Sequence, residues 1–125
     1  MDVQLCWVLV DHRGGGNGMG IRINGIVIDV NDLDLLAEFW CGMLEVEVTR
    51  RESHWISLGP HLALQLVPER KTSKNRIHFD LVADDFAAAV ARARELGATP
   101  VDEMQEDLWQ VWQDPEGNEF CLCVS

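Results

Sequence analysis

The sequence has no apolar run approaching the roughly 20 residues that a membrane-spanning helix needs. Positive charge is also scarce: 10 Lys and Arg stand against 21 Asp and Glu, a formal net charge of −11. That balance argues against nucleic acid and anionic membrane as partners, because Lys and Arg neutralising phosphate dominate such affinities. No basic leader precedes the apolar run Q-L-C-W-V-L-V at residues 4–10, so it does not read as a signal sequence. Cysteine is limited to 4 residues, which without a leader suggests a reducing cytoplasm rather than a disulfide scaffold. Cys121 and Cys123 fall on one face of a strand, poorly placed to pair, and read as free thiols. What remains is a chain of 125 residues, 47% hydrophobic, the profile of one globular domain with a core of its own.

Residues 1–25 read as an N-terminal extension: a short apolar run that could add an edge strand, then a Gly-rich linker at 11–20. The regular domain runs from 26 to 125. I-V-I-D-V is an extended β-branched run, and Asp32 sits where a helix N-cap belongs. Leu36, Phe39, Trp40, Met43 and Leu44 then follow at helical spacing as one apolar stripe. Strands are expected at 45–50, 54–58 and 62–67, with Gly59-Pro60 turning between the last two. A polar connector with Arg70, Lys71, Lys74 and Arg76 follows, read as a solvated link or an anion-binding loop.

The pattern then repeats. A strand at 76–82 leads to a helix capped by Asp84 or Asp85, carrying Phe86, Ala89, Val90, Ala93 and Leu96, with Gly97 placed to end it. Strands at 99–103, 109–114 and 118–124 complete the second unit. Strand-helix-strand-strand-strand, twice, is an internal duplication with modules at about 26–67 and 76–125. The fold class is therefore α+β. The last two strands form a hairpin around D-P-E-G-N, where Pro115 presets one turn position and Gly117 or Asn118 supplies a positive φ. Beyond the turn, Glu119, Cys121 and Cys123 alternate with Phe120, Leu122 and Val124.

Four stretches, D-V-N-D-L-D-L-L-A-E-F-W, K-N-R-I-H-F-D-L, A-R-E-L-G-A and D-P-E-G-N-E-F-C-L, resemble the vicinal-oxygen-chelate (glyoxalase/bleomycin-resistance/dioxygenase) superfamily, and its glyoxalase-like subgroup most. The resemblance implies two β-α-β-β-β modules forming a cupped mixed sheet, helices outside, around a small-molecule site, usually in a homodimer. It also implies a possible divalent ion (Ni, Zn, Fe or Mn) held by His, Glu or Gln from inward strand faces, with open positions for Lewis-acid action. His78 falls at the second module's His position, and Gln65 at the first module's last strand. The first-strand position lands on Gly25, which has no ligand atom, although Asp29 shares its face. The position of the final Glu is Cys121, with Glu119 on the same face two residues earlier. The metal candidates are thus His78, Gln65 and Glu119, an incomplete version of the family's set.

His78 and Asp80, two apart on one strand face, form a candidate general acid/base pair, or with Glu119 a satisfied polar network. Cys121 as a nucleophile would need local positive charge that so acidic a chain scarcely offers. Trp40 belongs to the core stripe. Trp109 and Trp112 point to opposite faces, and Trp55 and Trp109 join Asp29 and Cys121 as candidate pocket-lining residues. Three functions follow as expectations: a glyoxalase-like protein binding a small molecule without the family's usual metal site, a metal-dependent lyase, isomerase or dioxygenase, or a protein that sequesters an antibiotic.

Overall fold

In the computed structural model, which describes Gly20 and residues 23–125, the β-branched run forms β1 (Ile26–Val30). Asp32 caps α1 (Leu33–Leu44) by accepting from the Leu35 N–H at 3.0 Å, satisfying a donor the helix itself leaves open. Leu36, Phe39 and Trp40 are buried on its inner stripe. Three strands complete the first module: β2 (Val48–Glu52), β3 (Trp55–Leu58) and β4 (Leu62–Leu66). The second module repeats the order with β5 (Phe79–Ala83), α2 (Phe86–Glu95), β6 (Thr99–Pro100), β7 (Trp109–Gln113) and β8 (Glu119–Val124). Asp85, not Asp84, caps α2, and Gly97 leaves it with φ +104°, a conformation that costs glycine little. The expected strand at residues 4–10 and nearly all of the linker lie outside the described residues.

The paired modules are two four-stranded mixed sheets, ordered β1-β4-β3-β2 and β5-β8-β7-β6. In each, the first strand runs parallel to the last and the other pairings are antiparallel. Among the described residues no ladder joins the sheets, so β1 and β5 are both edges. No helix of the described residues is long and apolar enough to cross a membrane.

Three strand boundaries differ from the sequence expectation by three residues, the others by two at most. β2 starts at Val48 rather than 45, because Glu45 takes a left-handed conformation (φ 55°) to end α1 and the next residues carry the chain out of the helix. β5 starts at Phe79 rather than 76, because Asn75 is tied to Glu119 and residues 76–78 stretch from that tether to the ladder. β6 ends at Pro100, after which Asp102 holds a loop by accepting from Gln110 Nε2 at 2.9 Å.

One core runs under both sheets. Trp40 meets Phe79 and Phe120 edge-on, with ring centroids 5.6 and 5.2 Å away, and Phe39 lies 6.0 Å from Phe120. Phe39 and Trp40 of the first module's helix, which packs on β3 and β4 of its own sheet, therefore reach the second module's sheet. Arg92 Nε donates to the Gly42 carbonyl at 2.8 Å, joining the helices where Leu96 packs so near Gly42 that a Cβ there would sit 2.9 Å from it.

Asp114, buried, closes the junction. Its Oδ2 accepts from Trp40 Nε1 at 3.2 Å and from Asn118 Nδ2 at 3.0 Å. Its Oδ1 accepts the Glu116 and Asn118 N–H groups, both at 2.9 Å. Gly117 provides the turn's positive φ (+88°). Asp114→Ala would leave several buried donors without an acceptor, and we expect a loss of roughly 3 kcal/mol in urea unfolding. Trp40→Phe, removing one donor and part of a ring, should cost roughly 2 kcal/mol.

Candidate functional site

Residues paired across a ladder point to the same side of a sheet, so register alone sorts the candidate residues into rows. In the first sheet Asp29 pairs with Gln65 and Gln65 with Trp55, one row across three strands. In the second, Asp80 pairs with Cys121, while Trp109 and Cys123 form the next pair on that face. Both rows oppose the faces that carry Leu64 and Ile56, or Phe120 and Trp112, into the core. The expected site residues are thus divided between two sheets.

The second row carries the densest chemistry. His78, one residue ahead of β5, places Nε2 3.2 Å from Asp80 Oδ1, with the side chains 50% and 65% exposed. One donor atom each from His78, Asp80 and Cys121 lies within 4.8 Å of the others. Burial first, then the Asp80 charge, pushes the Cys121 thiol up to about 11. At neutral pH it is protonated and a poor nucleophile, in line with the sequence expectation.

Glu119 and Gln65 do not join this cluster. Glu119 accepts the Asn75 N–H at 2.7 Å and pairs with Lys71 Nζ at 3.0 Å. Burial alone would push its carboxyl up, but the Asn75 N–H and the Lys71 ammonium outweigh that and hold it below its ordinary value. Gln65 is buried in the first sheet's row, beside Trp55, whose indole N–H donates to Ser57 Oγ at 2.9 Å. Trp109 is half-buried beside Cys123. Asp29 is exposed, its carboxyl raised by partial burial and by the Glu69 charge.

A cavity of about 380 Å³ opens at the seam between the sheets, walled by Ile26, Ile28, Trp40, Ile77 and Phe79. Asp29, Asn75, Arg76, His78 and Glu119 supply its polar groups. A wider groove of about 470 Å³ shares Ile26, His78 and Phe79 with it, so the His78 imidazole stands between the two. Trp55, Gln65, Trp109 and Cys121 line neither. Sequence reasoning missed Trp40 as a cavity wall, since a helix-stripe residue gives no sign that one ring edge meets a seam. Lys71 and Asn75 were legible only as members of a polar connector.

The glyoxalase-like domain family matches residues 25–123. The chain belongs to that family. Its fold recurs in a glyoxalase/bleomycin resistance protein/dioxygenase family enzyme from Burkholderia phytofirmans, at a TM-score of 0.70 and 16% identity over 83% of this chain and 98% of that one. It recurs in the trypanothione-dependent glyoxalase I of Leishmania major (0.67, 20%, covering 83% and 86%) and in a fosfomycin resistance protein from Mesorhizobium loti (0.65, 15%, covering 84% and 90%). No curated protein matches the sequence. At these identities the neighbours establish the vicinal-oxygen-chelate fold, and their differing activities show how little the fold constrains the chemistry.

Divalent metals occur widely in this superfamily, so the donor set was tested against one. Imidazole, carboxylate and thiol converge from one module, and three such ligands with a fourth position open are what a tetrahedral ion such as Zn²⁺ takes at catalytic sites. The thiol favours a thiophilic ion over Mn. The expected companions Gln65 and Glu119 contribute no part of that cluster.

Two measurements check these electrostatics. Alkylation of Cys121 at pH 8 should run about a hundredfold slower than that of a thiol titrating at its ordinary 9.0. Because the Glu119 carboxyl is lower in the folded state, its stabilisation is present above the ordinary 4.5 and lost as pH falls through the folded value. The stability gap between wild type and Glu119→Gln should therefore narrow as urea titrations move below pH 4.5.

Proposed function

We propose that this glyoxalase-like protein binds a small organic molecule in the seam cavity, with the His78–Asp80 pair as its proton-handling group. The observation that carries the reading is the cavity itself. Its size falls in the ordinary ligand-site range, its walls are mainly apolar, and a few polar groups converge on it. His78 reaches the cavity, and Asp80 Oδ1, 3.2 Å from Nε2, orients the imidazole. An apolar wall ended by Trp40 and Phe79 suits a molecule with a planar or hydrocarbon body.

In this reading the protein works in the cytoplasm as a homodimer, the expectation its family carries. Ile77, just ahead of the edge strand β5, and Val82 within it, 82% and 67% exposed, are apolar surface that a second subunit would cover.

A second reading adds a divalent ion, favoured by the convergence of His78, Asp80 and Cys121. Those three residues would hold it, and the ion would supply Lewis-acid polarisation of a ligand oxygen. His78 would then be a ligand rather than a free acid/base, which separates the two readings.

The test joins metal content to ligand screening. A thermal-shift screen of small aromatic and cationic molecules should find compounds that stabilise wild type by about 2.7 kcal/mol at a hundred times their Kd. Val27→Trp, at an exposed cavity-lining position, should abolish that gain by filling the space. Equal stabilisation of both proteins would sink the cavity reading. Elemental mass spectrometry on untagged protein, purified without chelators, should find about one ion per chain, absent from His78→Ala, only if the second reading holds. A protein that merely sequesters its ligand would keep its affinity in His78→Ala.

A further inference from the structure

Residues 67–78, between β4 and β5, contain no helix or strand, yet their last part forms a wall of the seam cavity. A dozen residues without a ladder need other restraints to present a fixed surface. The start is held by Asn31, whose Nδ2 donates to the carbonyls of Val67 at 2.9 Å and Glu69 at 3.0 Å. The end is held chiefly through Glu119. Oε1 accepts the Asn75 N–H at 2.7 Å, and Oε2 meets the Lys71 ammonium at 3.0 Å. Lys71 Nζ also donates to the Ser73 carbonyl, which folds the connector around the charge. Asn75 Nδ2 returns a bond to the Glu119 carbonyl at 3.3 Å.

The next restraint is the first rung of the β5–β8 ladder, Phe79 with Phe120. Arg76, Ile77 and His78 are thus strung between a tether at Glu119 and a rung one residue further along the same strand. This ion pair is also the most sheltered of those among the described residues. Its side chains are 20% and 10% exposed, whereas the Arg50–Glu52 and Arg51–Asp34 pairs lie open to water. Open pairs contribute little, while a sheltered carboxylate also bonded to a backbone N–H restrains both partners.

From this geometry we infer that Glu119, expected from the sequence to be a metal ligand, is instead the positioning residue of the ligand cavity: with Lys71 it latches the connector to β8 and so fixes Arg76, Ile77 and His78 as the cavity wall. The inference rests on the cavity being the ligand site. The latch itself stands on the contacts alone. The chemistry at the mouth follows from it. The Glu119 and Lys71 charges cancel each other, leaving Arg76, with no partner among the described residues, as the wall's available cation.

The experiment compares wild type with Glu119→Ala, Glu119→Gln and Lys71→Met, using amide hydrogen exchange by mass spectrometry and titration with 8-anilinonaphthalene-1-sulfonate followed at the Trp40 indole N–H by NMR. Glu119→Ala should speed exchange across 71–78 by about tenfold while the β7–β8 ladder stays protected, since the tether opens locally without global unfolding. Probe affinity should fall about fivefold with it. Glu119→Gln, which keeps an acceptor for Asn75, and Lys71→Met should each give a smaller change of the same kind. Exchange at 71–78 rising no more than in the ladder, in both Glu119→Ala and Lys71→Met, overturns the latch. Local opening with unchanged probe affinity overturns the positioning role. A probe that leaves the wild-type Trp40 resonance unmoved counts against the cavity reading instead, and the exchange data still decide the latch.

Discussion

The hydrogen bond from Trp40 to Asp114 is the constraint on which the rest of the structure depends. Among the described residues the two modules of four strands each share no ladder, so side chains set their relation. Trp40 is carried by the first module's helix, and its ring fills the space against Phe79 and Phe120 of the second. A buried indole N–H needs an acceptor, and a buried carboxylate needs donors. Asp114 meets both needs, because the same two oxygens organise the turn that reverses β7 into β8. A turn that is local in sequence is thereby coupled to a helix 74 residues away.

The location of the cavity follows from that junction. α1 and α2 draw the modules together on the core side of the sheets, through Arg92 to the Gly42 carbonyl and Leu96 against Gly42. On the far side no ladder of the described residues joins β1 and β5, and a seam is left with apolar walls belonging to both modules. Many of the residues facing it come from the edge strand β1 and the connector, parts of a duplicated fold less determined by core packing, while Trp40 and Phe79 of the aromatic cluster form its floor. Chemistry can vary at the β1 and connector positions without disturbing that cluster.

The fold was legible in the sequence because its signals are local and repeated. Asp32 and Asp85 cap helices, the stripe of Leu36, Phe39 and Trp40 is buried, Gly97 and Gly117 take positive φ, and Phe120 and Leu122 face the core from β8. The candidate site was legible only in part. His78 beside Asp80 followed from parity along one strand, and the structure puts them 3.2 Å apart. Glu119 defeated the same logic. Parity gave its face correctly, but whether a carboxylate is a free ligand depends on what a distant connector brings to it. Lys71 and Asn75 lie 48 and 44 residues away, with no periodicity to announce them. The division of Gln65 and Cys121 between separate sheets was likewise a matter of tertiary arrangement, invisible to strand register.

Cysteine rather than a carboxylate at position 121 shapes what the second sheet can do. A carboxylate there would be charged at neutral pH and would add to the field of Asp80. The thiol is neutral, since burial and the Asp80 charge both oppose its ionisation. Without a metal, Cys121 therefore behaves as a small apolar residue beside the His78–Asp80 pair. A thiophilic ion held by these three residues would invert the balance, since a coordinated thiol would lose its proton and the ion would outweigh Asp80 locally. On the two proposed readings the same three side chains would serve as an acid/base pair beside an inert thiol or as a compact N, O, S ligand set, and no rearrangement of the fold separates the two.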